Sequence, residues 1–329
     1  MPKVLHIGPC ETPGGMAKVM RILAEYPPEG WEAELLSSHV VGTPWAKWRA
    51  YRRARASFSQ MLNDETRRPD IVHLHTAADW SWWRKRRFAK MAHKAGVPSI
   101  VHIHSGQFDT WLGSPDSKRS RGVRNFLKSI EVTTVVLSDD WNKRLHPYIG
   151  KLNVVNNPVD PRIKPSNKIR EKDHLLLLGR NDSVKGHAFA EQIAALVRTK
   201  RPNLRLTMSG LESSQYEWVN ARGWVSEEDK FDLLHTASLL LVPSAFEGQP
   251  LVVFEALASG LPVIASDRVP QTLPTVHVAA FGNSLNWVEM IHKVLDESID
   301  ADGLTESIAN HRIEIINSHW KKMYENSFK

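Results

Sequence analysis

Short apolar runs alternate with longer segments of helical period along the chain, and this alternation is typical of a doubly wound α/β protein. The predicted strands are Val4–Ile7, Glu34–Ser37, Ile71–His75, Ser99–Ile103, Thr133–Leu137, Leu152–Val155, His174–Leu178, Leu204–Ser209, Ser238–Val242, Pro262–Ala265 and Val276–Ala279. The predicted helices include 16–26, 45–62, 79–95, 121–129, 140–148 and 227–236, with one from 185, one opening at 250 and further helical segments toward the C-terminus.

One segment interrupts the alternation. Residues 156–173, NNPVDPRIKPSNKIREKD, are rich in proline, asparagine and charge, which is typical of a linker. We therefore predict an N-terminal domain over residues 1–160 and a second domain over 161–310. Residues 311–329 are predicted to form a helix that packs back on the N-terminal domain. A cleft between the domains would be the default site.

The composition fits a soluble globular protein, with 42% hydrophobic and 24% charged residues among 329. The single cysteine, Cys10, excludes internal disulfides and a cysteine-based zinc cage. The N-terminus enters a strand without a signal-like apolar region, and no run reaches transmembrane length. These features favour a cytoplasmic protein.

Charge is unevenly spread. Residues 1–165 hold 26 Lys and Arg against 15 Asp and Glu, whereas the remainder holds 17 against 21. This asymmetry predicts that the two halves have different partners.

The stretch from Ser238 to Asp267 carries the clearest chemistry. A helix predicted to open at Pro250 and to stop at Gly260 is apolar almost all round, so it should be buried. It nevertheless contains Glu255, and Glu247 lies in the loop before it. Buried carboxylates need hydroxyls or cations, and a helix N-terminus attracts phosphate, so a sugar nucleotide would satisfy both.

A basic loop follows the strand at His174–Leu178. GRNDSVKG lacks the ending of a Walker A loop, but it places Arg180 and Lys185 where open α/β sheets bind ligands. An arginine fork and a lysine charge suit a diphosphate. A solvated loop with two surface cations is the alternative.

These motifs resemble those of a known family. FEGQPLVVFEALASGLPVIAS is similar to the Glu-x7-Glu signature of the retaining family-four glycosyltransferases, and GRNDSVKG is similar to their Gly-Arg…Lys-Gly motif. VVNNPVD is similar to their interdomain turn, although Asn156 and Pro158 replace the usual proline and glycine. A glycine-containing turn that the family often has after Asp267 is also missing, because the chain reads RVPQTLPTVHV.

The resemblance implies two doubly wound Rossmann-like domains facing across a cleft, the GT-B fold, with the donor held by the C-terminal domain and the acceptor by the N-terminal one. Arg180 and Lys185 would then hold the donor diphosphate. Glu247, beside Gly248, would contact the sugar, and Glu255 the ribose. The backbone N–H groups of Leu251 and Val252 would cap the phosphates. The alternative for the glutamates is one surface residue and one buried, arginine-paired structural residue.

The first half adds weaker candidates. Gly14 and Gly15, just before a helix, allow close backbone approach to a ligand, although a plain tight turn gives the same pattern. The family often has such a pair facing the donor.

Two strands end in paired histidines, His73 with His75 and His102 with His104, each pair on one strand face. A four-histidine metal site and satisfied core histidines are both open, while the resemblance favours His104 as a residue near the reaction centre and His75 less strongly. Asp109 could orient a histidine but is assigned no role.

Tryptophan is interleaved with Lys and Arg in residues 45–58 and 80–94, and seven of the twelve tryptophans lie between Trp31 and Trp111. This composition is typical of an interfacial membrane helix, so an anionic membrane surface is the favoured partner. Ordinary solvated helix faces are the alternative, and nucleic acid is the least favoured partner.

The sequence therefore predicts a retaining hexosyltransferase that moves a sugar from a nucleotide diphosphate donor, UDP- or GDP-linked, to a hydroxyl acceptor. The acceptor is expected to be lipid-linked or a cell-surface glycan precursor, and the protein cytoplasmic or peripheral on the inner face of the membrane. No Asp-x-Asp motif stands near the site, so no metal is expected. An epimerase or phosphorylase on the same fold, or a non-catalytic lipid- or nucleic-acid-binding protein, are the alternatives.

Overall fold

The computed structural model describes residues 1–270 and 273–328 and divides the chain into two compact units. Unit 1 comprises Met1–Pro158 together with the C-terminal segment from Ile313, and unit 2 comprises Val159–Arg312. The division thus falls inside the proline-rich segment predicted as a linker. The altered turn after Asp267 lies partly outside the described residues, because these exclude positions 271 and 272.

Unit 1 is a six-stranded parallel sheet with helices on both faces. Its strands are β1 (Lys3–Gly8), β2 (Glu32–Ser37), β3 (Ile71–Thr76), β4 (Ser99–Ile103), β5 (Thr133–Val136) and β6 (Asn153–Val154), in the order β2-β1-β3-β4-β5-β6. Its helices are α1 (Gly15–Glu25), α2 (Pro44–Asn63), α3 (Trp80–Lys94), α4 (Phe108–Leu112), α5 (Lys118–Ser129), α6 (Asp139–Ile149) and, after unit 2, α12 (Ile313–Asn326).

The two faces of this sheet differ in chemistry. One face is apolar and packs on the core that contains Phe58, Trp82 and Phe88 from α2 and α3. The other carries histidines on β1, β3 and β4, and Trp320 and Tyr324 of α12 pack against these rings. Helix α12 is therefore an integral part of unit 1.

Unit 2 is a second six-stranded parallel sheet. Its strands are β7 (His174–Leu177), β8 (Arg205–Met208), β9 (Val219–Ala221), β10 (Leu239–Val242), β11 (Val263–Ser266) and β12 (His277–Ala279), in the order β12-β11-β10-β7-β8-β9. Its helices are α7 (His187–Arg198), α8 (Glu227–Thr236), α9 (Leu251–Ala258), α10 (Ser284–Asp296) and α11 (Ala301–Ser307), with short 3-10 turns at Ser183–Lys185 and Ala309–His311.

The prediction of two doubly wound, Rossmann-like domains is confirmed. The strand β9 and the one-turn helix α4 were not predicted, because three- and five-residue elements leave too short a pattern to identify a period. Among the described residues, no helix combines the length and apolar character needed to cross a bilayer.

Candidate active site

Two loops of unit 2 meet at the edge of its sheet where the strands end. Strands β7 and β10 are hydrogen-bonded neighbours, yet the chain runs from β7 toward β8 on one side and from β10 toward β11 on the other. The gap between β7 and β10 is therefore the topological switch point, where α/β sheets bind ligands. The GRNDSVKG loop follows β7 and the loop containing Glu247 follows β10.

Lys185 and Glu247 form an ion pair across these loops. The ammonium nitrogen of Lys185 lies 2.5 Å from Oε1 of Glu247, and the hydroxyl of Ser244 donates to the same oxygen at 2.8 Å. Their side chains remain 26% and 13% exposed, respectively, so both groups can still be reached by a ligand. The structure thus brings together two of the predicted site residues that lie 62 positions apart.

Backbone contacts hold the two loops in register. The N–H of Ala245 donates to the carbonyl of Val184 at 2.8 Å. Gly186 has φ of 77°, and a Cβ at this position would lie 2.8 Å from the carbonyl oxygen of Pro243. Only glycine fits this close approach in the left-handed region, which explains the glycine directly after Lys185.

Helix α9 begins beside this pair. The prediction that Pro250 occupies the first helical turn is wrong by one position, because Pro250 has an extended ψ of 113° and stands at the N-cap. Leu251 is the first helical residue, so Leu251 and Val252 carry N–H groups of the first turn, which have no partner inside a helix. No side chain caps this terminus. Gly260 ends the helix as predicted, with φ of 72°.

Glu255 lies buried on the second turn of α9, at 3% exposure. Its Oε1 is 3.2 Å from the ammonium nitrogen of Lys230 on α8, which also pairs with Glu227 at 2.8 Å. The alternative of a structural, ion-paired glutamate is therefore compatible with the geometry, with lysine in place of the arginine expected. A ribose contact by Glu255 stays a prediction.

The remaining predicted residues of unit 2 lie on the same loops. Arg180 is exposed just after β7, at the end of the backbone segment that Ser209 holds through a 2.9 Å bond to the N–H of Gly179. Gly248 follows Glu247 in the turn leading to α9. Cations, a carboxylate and a helix N-terminus thus share one edge of the sheet.

Models of glycosyltransferase families match both halves of the chain. The model for glycosyl transferases group 1 matches residues 172–297, and the model for Glycosyltransferase Family 4 matches residues 15–163. Each half is therefore similar to a domain of a glycosyltransferase family. The match to the second half contains Arg180, Lys185, Glu247 and Glu255, the residues just described.

Individual relatives agree with this assignment. A glycogen synthase of Mycobacterium tuberculosis is 27% identical over 65% of this chain and 56% of its own length, so the chain spans about half of this curated relative. The Anabaena protein HepE, solved with UDP and glucose, is 14% identical with a TM-score of 0.71 and covers 99% of this chain and 100% of its own. Sucrose-phosphate synthase from Thermosynechococcus elongatus is 15% identical with a TM-score of 0.68 over 100% of this chain and 99% of its own. These structural likenesses establish the GT-B fold.

In the family-four-like domain of unit 1, Gly14 and Gly15 lie at the start of α1. Gly14 has φ of 126° and precedes a helix without a side-chain cap, and a Cβ at Gly14 would meet open space. The backbone here is thus accessible, which fits both a ligand-facing turn and a plain tight turn. The donor contact assigned to this pair stays a prediction.

All four predicted histidines of unit 1 belong to one cluster, which also contains His6. Hydrogen bonds join His6 Nδ1 to His75 Nε2 at 2.9 Å, His75 Nδ1 to His104 Nε2 at 2.9 Å, and His73 Nε2 to His102 Nδ1 at 3.2 Å. No sequence pattern pointed to His6, because it is the only histidine on its strand. Its place in the cluster follows from the register, which sets it beside His73.

Burial keeps these imidazoles neutral. It lowers the pKa of His6 and of His104 to about 3. It also holds the pKa of His73, His75 and His102 well below the ordinary value, with repulsion from neighbouring imidazoles adding to the effect. Two triplets, His6–His73–His75 and His75–His102–His104, have ring nitrogens within 4.8 Å of one another. The four-histidine metal alternative therefore has its ligands close together, but imidazole-to-imidazole hydrogen bonds already use many of the nitrogens.

Asp109 does not contact this cluster through any described hydrogen bond. The Asp109 carboxylate accepts a 2.6 Å hydrogen bond from Arg144 on the neighbouring helix α6, so the guanidinium of Arg144 balances its negative charge.

Proposed function

We propose that the chain transfers a hexose from a nucleotide diphosphate sugar, UDP- or GDP-linked, to a hydroxyl acceptor with retention of anomeric configuration. Unit 2 would bind the donor and unit 1 the acceptor. The observation that carries the proposal is the Lys185–Glu247 pair at the switch point of unit 2, beside the uncapped N-terminus of α9.

Each member of the pair suits a different part of the donor. The Lys185 ammonium would move from Glu247 to the diphosphate, and the freed carboxylate of Glu247 would accept hydrogen bonds from sugar hydroxyls. The ion pair keeps both side chains in place before the donor arrives, and such preorganisation reduces the cost of binding. The hydroxyl of Ser244 would still donate to Glu247 after Lys185 has moved to the diphosphate.

The same groups would favour departure of the nucleotide. As the bond between the anomeric carbon and the phosphate oxygen breaks, the leaving diphosphate takes the electron pair and gains charge. Lys185, Arg180 and the N–H groups of Leu251 and Val252 would stabilise that charge. The acceptor hydroxyl would attack from the same face and give its proton to a donor phosphate oxygen, so we assign no carboxylate nucleophile. Glu255 would orient the donor through its ribose hydroxyls.

Turnover of a panel of UDP-, GDP- and ADP-sugars, with and without candidate acceptors, tests this proposal. Product NMR reports the anomeric configuration. Lys185→Ala and Glu247→Gln should each lower kcat/KM by roughly 10²- to 10³-fold, because charge stabilisation and sugar orientation are lost. Lys200→Ala provides the control, because Lys200 is an exposed lysine of the same unit that precedes β8, away from the loops of the site. Near-normal turnover in both site variants would overturn the assignment.

The acceptor requirement separates the alternatives. An epimerase would convert the nucleotide sugar without an acceptor, and a phosphorylase would consume a glycoside and phosphate. A binding protein would show no donor-dependent product. Only a transferase would release more nucleoside diphosphate when one acceptor is added and would also form a glycosylated product.

We also propose that unit 1 docks on an anionic lipid surface, which would bring a lipid-linked acceptor to the enzyme. Trp45 and Trp48 at the start of α2 are 62% and 43% exposed, and Trp80 and Trp83 at the start of α3 are 78% and 44% exposed. In both cases the exposed rings lie in the first turns of a helix that follows a parallel strand, so they share one edge of the sheet.

Cations accompany these rings. Arg52 lies 4.8 Å from the ring of Trp48, and Arg86 lies 5.4 Å from that of Trp83. Exposed aromatic rings beside arginines suit the interfacial region of an anionic bilayer, and a solvated helix face does not require four exposed tryptophans. Trp82, by contrast, is 1% exposed and belongs to the core.

Cosedimentation with vesicles of anionic and of zwitterionic phospholipid tests the docking. The Trp45→Ser/Trp80→Ser variant should lose most binding to anionic vesicles and keep its fold. Trp224→Ser is the matched control, because Trp224 is 61% exposed in unit 2. Equal binding of all three proteins, or binding that does not depend on lipid charge, would contradict the proposal.

A further inference from the structure

The histidine cluster of unit 1 contains a hydrogen-bonded chain of three rings, His6, His75 and His104. His75 uses both ring nitrogens, Nε2 toward His6 and Nδ1 toward His104, each at 2.9 Å. A neutral imidazole has one N–H and one lone pair, so His75 must donate on one side and accept on the other. The tautomers of the three rings are therefore coupled.

Only two arrangements satisfy both hydrogen bonds. In the outward arrangement, His6 Nδ1–H donates to His75, and His75 Nδ1–H donates to His104 Nε2, which leaves His104 with its proton on Nδ1. In the inward arrangement, every bond is reversed and His6 carries its proton on Nε2. That Nε2 proton would have no acceptor among the described hydrogen bonds, although His6 is only 1% exposed. In the outward arrangement the terminal N–H belongs instead to His104, which is half-buried and can reach water, so the outward arrangement is favoured.

His104 is the end of the chain that reaches solvent. His6, His73, His75 and His102 are fully buried, whereas His104 is half-buried at the carboxyl end of the strand β4. Because its Nε2 is engaged by His75, Nδ1 is the nitrogen left for a ligand. The low pKa values of His6 and His104 mean that the chain stays neutral over the physiological pH range.

We propose that His6 and His75 are positioning residues that hold His104 in the Nδ1–H tautomer and present this N–H to a hydroxyl or phosphate oxygen of the substrate. The consequence for turnover rests on the proposed function, but the tautomer itself does not. A second chain, Tyr324 OH to His73 Nδ1 at 3.0 Å and His73 Nε2 to His102, does not include His104. It therefore offers an internal control.

Long-range ¹H–¹⁵N correlation spectra of the ¹⁵N-histidine-labelled protein test the proposal without any substrate. His104, assigned by its loss in His104→Phe, should show one tautomer protonated on Nδ1 in the wild-type chain. His75→Phe keeps a ring in the sheet but removes both nitrogens, so His104 should become a mixture of tautomers. Tyr324→Phe should leave the His104 signals unchanged.

Other results would overturn the proposal. These are an Nε2–H or mixed tautomer in the wild-type protein, and an unchanged His104 in a folded His75→Phe variant. Stoichiometric transition metal bound by the purified protein through these rings would also overturn it, because a metal would replace the hydrogen bonds. The wild-type spectrum decides even if His75→Phe fails to fold.

Kinetics then connect the tautomer to transfer. His75→Phe should lower kcat about tenfold with a smaller effect on donor KM, the lower end of the loss seen when a metal-bound histidine loses its outer hydrogen-bond partner. The double variant with His104→Phe should be no slower than His104→Phe alone, because His75 acts through His104. Additive losses would contradict this coupling. A chain with the predicted tautomer but no transfer activity would refute the proposed function and leave the hydrogen-bond assignment intact.

Discussion

Lys85 offers a sharp test of how burial sets the energetics of unit 1. It lies on α3 at 1% exposure, and its ammonium nitrogen has no hydrogen-bond partner among the described residues. Burial, with repulsion from Arg84 adding to it, lowers the pKa of Lys85 from 10.5 to about 7. Replacement by methionine keeps an unbranched chain of similar length and removes the buried charge.

The magnitude follows from that pKa. Each pKa unit corresponds to about 1.4 kcal/mol. The lowering of the Lys85 pKa from 10.5 to about 7 therefore means that burying the charged ammonium costs about 5 kcal/mol. This cost applies at pH 6, where Lys85 is charged in both the folded and the unfolded chain. Between pH 7 and 10.5 the unfolded chain binds the proton and the folded chain does not. Stability of the wild-type chain therefore rises with pH in this window, and the remaining cost at pH 9 is about 2 kcal/mol.

Urea unfolding at pH 6 and pH 9, followed by tryptophan fluorescence, measures the effect. Nine of the twelve tryptophans belong to unit 1, so the signal reports mainly on this unit. Lys85→Met should raise the free energy of unfolding by about 5 kcal/mol at pH 6 and by about 2 kcal/mol at pH 9. Lys94→Met, on an exposed position of the same helix, should change it by less than about 0.5 kcal/mol at either pH. A loss of stability at pH 6, or an equal gain at both pH values, would refute the reasoning.

Three further outcomes are expected. Gly186→Ala should lower the free energy of unfolding of unit 2 by about 2–3 kcal/mol in urea and weaken donor binding, because the new Cβ meets the Pro243 carbonyl in a left-handed turn. Gly122→Ala is the control, because Gly122 on α5 faces open space, and it should be neutral or stabilising. Trp320→Ala should cost unit 1 about 3–5 kcal/mol in the same assay, since the ring is fully buried against His73, and a smaller loss would contradict the integral role of α12. Treatment with a chelator should leave transfer unchanged, and loss of turnover that added divalent metal restores would show that the prediction of metal independence is wrong.

Much of unit 2 could be predicted because its chemistry is local. Strand β10, the turn with Glu247 and the apolar helix α9 follow one another in 20 residues, so the period, the glycine stop and the misplaced carboxylates are visible together. Lys185 lies 62 residues upstream, and only the resemblance linked it to Glu247 before the structure showed their contact. The distance of 2.5 Å depends on β7 and β10 being neighbours, which no local pattern specifies.

The histidines of unit 1 show the opposite case. Spacing i, i+2 predicted that His73 and His75 share a face, and likewise His102 and His104, which the alternation of side chains along a strand requires. It could not show that β1 is inserted between β2 and β3, so His6 was missed. Nor could the spacing show that Tyr324, 251 residues away, forms a hydrogen bond with His73.

The sequence by itself determined the alternating elements, the position of the linker and the residue types in the loops of Lys185 and Glu247, because these depend on hydrophobic period, turn chemistry and short motifs. Only the tertiary structure decided which of those residues meet. Strand order and register place Lys185 beside Glu247 and join three imidazoles into one hydrogen-bonded chain. They also bury Lys85 without a hydrogen-bond partner among the described residues. Such contacts arise from long-range packing, which minimises the energy of the whole unit rather than of any one segment.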